Sequence, residues 1–142
     1  MKPERSRCRL GVDYGRRRTG LALCDAEGRL AHPLGVLTCR GIDDLAARIV
    51  ERASAHEAAA VVLGYPRHLD GTPGDIAPDV ERLAESLRGR GVEVVLWDER
   101  LTSWEAEAKL REAPGRVRRD KGKVDEMAAT IILQSYIESL PR

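Results

Sequence analysis

Three acidic residues, Asp13, Asp98 and Glu99, stand where an apolar run stops, and a fourth, Asp125, stands near a helix start; a carboxylate placed so can face a ligand. Asp13 closes the run Cys8-Arg9-Leu10-Gly11-Val12 and precedes Tyr14-Gly15. That puts it at the C-terminal edge of a strand, where open α/β sheets bind their ligands. An aspartate there also serves simply as a turn residue bonded to its own backbone. Asp98 and Glu99 end the run Val92-Glu93-Val94-Val95-Leu96-Trp97. Neighbouring side chains of a strand face opposite ways, so at most one of the two can join Asp13. Periodicity does not choose between them, because both faces of this strand are apolar. The plainer fate of the pair is a solvated ion pair with Arg100. Asp125 falls in the first turn of a helix, where the helix dipole favours acids for structural reasons alone. It gains chemical meaning if that helix packs beside the first strand, which the small Ala128 and Ala129 would allow.

Carboxylates that converge on one rim repel, and their pKa values rise unless cations neutralise them. The three histidines, His32, His56 and His68, form no HxH or HExxH pattern, and the three cysteines, Cys8, Cys24 and Cys39, no CxxC. Oxygen donors remain, and they suit Mg²⁺ or Mn²⁺. Two such ions about 4 Å apart activate a water and stabilise a leaving oxygen in phosphodiester hydrolysis. Basic residues bracket these acids: Arg16, Arg17 and Arg18, then Arg67, then Arg116, Arg118, Arg119, Lys121 and Lys123. Taken singly, each is ordinary solvated loop charge; as clusters they offer sequence-independent contacts to phosphate. Since the net charge is only +1, affinity for a polyanion must come from such local clusters and not from a global field.

The elements that must position these residues follow from hydrophobic period. Cys8–Asp13 and Thr19–Asp25, separated by an arginine-rich tip, predict a hairpin, and Leu34–Thr38 a third antiparallel strand. Ile42, Leu45, Ala46, Ile49 and Val50 recur at helical spacing. Ala59–Leu63 and Val92–Trp97 are short, wholly apolar runs, as expected of strands buried on both faces. Between them Val80, Leu83, Ala84 and Leu87 mark a helix, with Pro78 near its start and Gly89 and Gly91 near its end. Thr102-Ser103-Trp104-Glu105 is a capping box opening a helix to about Glu112. Pro114–Lys123 lacks apolar period and predicts a loop. Val124–Leu140 predicts the last helix, with Val124, Met127, Ala128, Ile131, Ser135 and Ile137 near one face. Three antiparallel strands followed by βα units imply an α/β fold whose five-stranded mixed sheet adds two parallel strands and is flanked by helices.

At 142 residues and 42% hydrophobic, the chain suits a single domain spanning 1–142. The odd number of cysteines argues against a disulfide framework and suggests small apolar fillers in strands. The charged start, Met1–Arg9, lacks a signal-peptide core, and no apolar run reaches about 18 residues. A cytoplasmic protein with no membrane contact is the expectation.

With these residues in view, the chain resembles the YqgF, or RuvX-like, family of pre-16S rRNA nucleases and Holliday junction resolvases. The resemblance lies in Leu10-Gly11-Val12-Asp13-Tyr14-Gly15 with Arg17-Arg18-Thr19-Gly20-Leu21-Ala22, and in Leu63-Gly64-Tyr65-Pro66 with Asp70-Gly71-Thr72. It continues in Asp98-Glu99-Arg100-Leu101-Thr102 and in Lys123–Ala129 leading into Ile132-Leu133-Gln134. Each motif is modest, but the ordered set is specific and spans nearly the whole chain. The resemblance implies a ribonuclease-H-like fold and an acidic triad of Asp13, Glu99 and Asp125, choosing Glu99 over Asp98. It further implies trimming of the 5′ end of the 16S rRNA precursor, with four-way DNA junction cleavage as the alternative. A homodimer would be required for the latter, since a junction needs two active sites. The chain departs from the family at Arg67-His68-Leu69, where an apolar or amide-rich segment is common, and no fourth acidic ligand is assigned.

Two other function classes compete. A strand followed by Asp13-x-Gly15 and a hairpin resembles a phosphate-binding segment of actin- and hexokinase-like ATPases, but those need two lobes, and neither a Walker A loop nor a GxGxxG fingerprint is present. A non-catalytic nucleic-acid-binding module would use the basic loops and leave the acids as strand terminators. With Glu99 chosen by the resemblance, and alternation letting only one of the two acids face the metals, Glu99→Gln should abolish metal-dependent cleavage while Asp98→Asn keeps most of it. Cleavage rates of the two variants in Mn²⁺ check this, and the reverse pattern would overturn the triad.

Overall fold

The computed structural model describes residues 8–66, 74–98 and 121–141. The strands are β1 (Arg9–Asp13), β2 (Thr19–Cys24), β3 (Ala31–Leu37), β4 (Ala60–Tyr65) and β5 (Val94–Asp98). The helices are α1 (Ile42–Ala55), α2 (Ala77–Gly89) and α3 (Lys121–Ser139). The sheet runs β3-β2-β1-β4-β5, antiparallel among the first three and parallel from β1 to β4 to β5. The mixed sheet expected from the order of elements is therefore present. The expected helix from Thr102 to about Glu112 lies outside the described residues.

The two faces of the sheet differ in side-chain size, and the register shows how. Leu10 and Val12 of β1, Leu21 and Leu23 of β2 and Val61 and Leu63 of β4 share one core with Leu45 and Ile49 of α1 and Leu83 and Leu87 of α2. Residues of the opposite parity point to the other face. There Gly11 lies level with Ala22 and Val62, and Asp13 level with Gly20. Ala22, Cys24 and Val62 pack with Ala129, Ile132, Leu133 and Ile137 of α3. Small residues on this face bring the helix close. A Cβ added to Gly11 would lie 2.7 Å from Leu133 Cβ, and one added to Gly20 would lie 2.0 Å from the Asp125 carbonyl oxygen.

Four expectations need correction. β3 begins at Ala31, ahead of the expected Leu34, and contains Pro33. β3 is an edge strand, where a missing N–H is tolerated, and its register with β2 shifts by one residue beside Pro33, between Leu21 and Ala22. α3 begins at Lys121, within the stretch expected to be a loop. Asp125 therefore lies beyond the first turn, which holds no acid, and Lys123 is exposed. The sheet-facing stripe of α3 is Ala129, Ile132, Leu133 and Ile137, rotated from the expected one. Ile131 is buried as well, and a helix apolar on several sides does not reveal by period which side meets the sheet. Cys24 does fill a strand, but Cys39 lies beyond β3 and is only half-buried.

Side-chain ties hold α3 to both flanks of the sheet. The Trp97 indole N–H donates to Ser135 Oγ at 3.2 Å, and its ring meets Tyr136 edge-on with centroids 5.5 Å apart. Gln134 Oε1 accepts the Ala31 N–H at 2.8 Å while Gln134 Nε2 donates to the Arg29 carbonyl at 3.2 Å.

Gly20→Ala should destabilise the fold by about 1–3 kcal/mol, as overpacking against backbone does. Gly89→Ala, which meets nothing within 4 Å, should be neutral or mildly stabilising. Urea midpoints of the two variants provide the comparison, and equal midpoints would contradict the close approach.

Candidate active site

Parallel pairing brings the C-terminal ends of β1, β4 and β5 to one edge of the sheet. Tyr65 lies level with Asp98, and Val12 with Leu63. Asp13 shares the face of Gly11, whose added Cβ would run into α3, so the half-buried Asp13 faces α3 by alternation. The Asp125 backbone stands directly over Gly20, the register partner of Asp13. Paired residues on antiparallel strands lie about 5 Å apart. Asp13 and Asp125 therefore occupy one corner, although 112 positions separate them in the sequence (125 − 13).

Asp98 sits differently. It has the parity of Val94, which packs on the α1/α2 core, whereas Trp97 packs against α3. Its side chain thus starts from the face opposite Asp13. Glu99 lies outside the described residues, as do Arg67, Arg116, Arg118 and Arg119.

The three arginines of the β1–β2 tip have three fates. Arg18 Nε donates to Asp125 Oδ2 at 3.0 Å, with the side chains 34% and 26% exposed. Arg16 Nε donates to Asp79 Oδ2 on α2 at 3.1 Å, and Arg17 is exposed. The site edge thus carries a carboxylate already paired with a guanidinium. Lys123 is exposed near the start of α3, and Lys121 belongs to its first turn.

Sequence reading missed Asp79. It accepts hydrogen bonds from Arg16, from the Tyr14 hydroxyl at 3.1 Å and from Arg82. Tyr14 follows Asp13 directly, so Asp79 ties the turn after the first acid to the start of α2. Pro78 marked the helix start, but nothing local links residue 79 with residues 14 and 16. The hydrogen bond from Arg16, followed by that from Tyr14, holds the Asp79 carboxyl below its ordinary range. Burial, and then the bond to Asp79, pushes the Tyr14 hydroxyl up. A parallel tie anchors the end of β4, where the Tyr65 hydroxyl donates to Glu81 Oε1 at 2.8 Å.

The donors at the corner are carboxylates, the chemistry a hard divalent cation requires. Among the described residues no group of three or more histidine, cysteine, aspartate or glutamate side chains could hold a metal ion. Burial pushes the Cys8 thiol up to about 11, aided by neighbouring Cys24, and burial likewise raises Cys24. Thiolate ligation is unfavourable at either residue. Among the described residues no helix is long and apolar enough to cross a membrane.

A family profile described as "RuvX: Holliday junction resolvase" matches residues 7–139. Two proteins named "Putative pre-16S rRNA nuclease", from Syntrophus aciditrophicus (strain SB) and Anaeromyxobacter sp. (strain Fw109-5), are 38% and 42% identical to the chain. The alignments cover 92% and 91% of this chain and 88% and 95% of those relatives. The solved structure of Thermus thermophilus RuvC superposes with a TM-score of 0.60 at 17% identity, covering 92% of this chain and 95% of that one.

Because the folded Asp79 pKa is depressed, its ties stabilise the fold above the ordinary carboxylate range and fade as pH falls through the folded value. Asp79→Asn should lower the melting temperature at pH 7 by about 2 °C, a small shift because Arg16 and Arg82 are largely exposed. The gap should close in acid. Melts of both proteins from pH 7 to pH 2 check this, and a gap that stays constant would contradict the sign.

Proposed function

This chain belongs to the RuvX family and has a ribonuclease-H-like fold, and from that premise we propose that Asp13, Glu99 and Asp125 form its nuclease centre. Family membership makes it a hydrolase of phosphodiester bonds. The observation that carries the site is the seating of Asp125 over Gly20, beside Asp13. Acids from the first strand and the last helix then share one corner. Asp98 starts from the opposite face, and alternation favours Glu99 as the third donor.

The donor set would hold two divalent ions, Mg²⁺ or Mn²⁺, which when bound supply an activated water and charge stabilisation for the leaving oxygen. The chain's own residues supply the frame. Gly11 and Gly20 admit α3, Tyr14 and Asp79 brace the turn after Asp13, and α3 presents Asp125. Phosphate contacts are assigned to Arg16, Arg17, Arg18, Arg67, Arg116, Arg118, Arg119, Lys121 and Lys123, which would position a nucleic acid without reading its bases.

The substrate we favour is the precursor of 16S rRNA, the substrate that the relatives' name gives, and the 5′ end is the part of it that the family resemblance implies. A four-way DNA junction is the second reading, favoured by the description of the family profile; it would require a homodimer.

Purified protein in Mn²⁺ should shorten a precursor transcript at the mature 5′ end and leave a synthetic four-way junction intact. Asp13→Asn and Asp125→Asn should each reduce cleavage by about a hundredfold or more, while RNA binding in a gel-shift assay persists. Junction cleavage by a sedimenting dimer, with the transcript untouched, would move the function to DNA. Binding without cleavage in Mg²⁺ or Mn²⁺ would leave a binding module and end the nuclease reading.

A further inference from the structure

One ion pair at the proposed site joins a tip arginine to an acid of the centre. Arg18 Nε lies 3.0 Å from Asp125 Oδ2, and both ends of this pair stand on firm supports. On the arginine side, a Cβ added to Gly15 would lie 2.3 Å from the Arg18 carbonyl oxygen, so the turn is closed against itself. The next residue, Thr19, is 2% exposed, and its hydroxyl donates to the Gly15 carbonyl at 3.4 Å. On the aspartate side, α3 rests on Gly20. The pair is therefore built into the junction of hairpin and helix, unlike a chance meeting of two long surface side chains. Among the described residues, Arg18 is the tip arginine that pairs with an acid of the proposed centre.

We propose that Arg18 is the resident counter-ion of Asp125, that a divalent cation must displace it, and that the freed guanidinium then takes a substrate phosphate. This rests on the reading of Asp125 as a metal ligand. Two positive groups on one partly buried carboxylate repel, so the guanidinium lowers the affinity of the substrate-free protein for the cation. A phosphate offers the same guanidinium a second anionic partner with bidentate geometry. Cation binding and substrate binding then favour one another, and by linkage the coupling is reciprocal. In effect the protein holds its metal weakly until a polyanion arrives.

The test is Mn²⁺ titration followed by the electron paramagnetic resonance signal of free Mn²⁺, in the absence of substrate. Arg18→Gln and Arg18→Met should bind Mn²⁺ about tenfold more tightly than the natural protein, and Arg18→Lys, which keeps the charge, should stay near it. In the natural protein an uncleavable phosphorothioate oligonucleotide should tighten Mn²⁺ binding, and in Arg18→Gln this gain should shrink. That measurement on the unaltered chain stands even if the neutral variants fold poorly. Unchanged or weaker Mn²⁺ binding by both neutral variants, or no gain from the oligonucleotide in the natural protein, would overturn the counter-ion role. Asp125→Asn separates the two layers of the argument. Weaker Mn²⁺ binding there, alongside unchanged Arg18 variants, sinks the counter-ion role alone. Unaltered binding in Asp125→Asn removes Asp125 as a ligand and the counter-ion proposal with it.

Discussion

The last helix comes close to the sheet over two residues that have no side chain. At Gly20 a Cβ would come within 2.0 Å of the Asp125 carbonyl oxygen, and at Gly11 within 2.7 Å of Leu133 Cβ. Any larger residue at these positions would lift α3 from β1 and β2 and carry Asp125 away from Asp13. Close packing forfeits its attraction steeply once a gap opens, so this seat is also where the helix gains much of its hold. The opposite face follows another rule. It buries Leu10, Leu21, Leu63, Leu83 and Leu87 with almost no exposure and gives the sheet a thick core against α1 and α2. Bulk on one side and its absence on the other make an asymmetric sandwich, thin where the proposed chemistry lies.

Polar ties then set the corner at finer scale. Tyr14 and Arg16 reach α2 through Asp79, Tyr65 reaches it through Glu81, and Trp97 reaches α3 through Ser135. Each tie starts at or just beyond the C-terminal part of one of the mutually parallel strands β1, β4 and β5. Strand ends otherwise fray, since their last backbone groups lack ladder partners, and a frayed end cannot hold a carboxylate against repulsion from its neighbours. The ion pair of Arg18 with Asp125 answers the same electrostatic problem from the other side, by placing a positive charge among acids that would otherwise resist being gathered.

These arrangements suit a protein that works on a polyanion while its own net charge is +1. Attraction has to be local, and the tip arginines illustrate how finely it is divided. One braces the scaffold, one is offered to solvent and one sits on an acid of the proposed centre. Equivalent residues in sequence thus do unlike work, because successive positions in a tight turn point in different directions.

Much of this was legible in the order of residues. The strand endings at Asp13 and Asp98, the helical stripes of α1 and α2 and the alternation of sheet then crossover followed from period and turn chemistry, which are local properties of the chain. The ordered motifs carried the family and, with it, the expected triad. Pro33 misled the start of β3 because its tolerance depends on β3 being an edge, and edges exist only in an assembled sheet. The face of α3 was misjudged because a helix apolar on several sides has no preferred direction until a neighbour supplies one. Asp79 carried no signal at all. Its partners are 63 and 65 residues away in sequence, and a contact of that kind is created by the packing of α2 on the hairpin. The sequence by itself determined which residues could bear charge and which segments would be strands or helices, since those are matters of composition and spacing. Which acid met which, and which arginine was left to meet them, was decided by tertiary structure, because side chains distant along the chain acquire a distance in space only when the helix settles on its glycines.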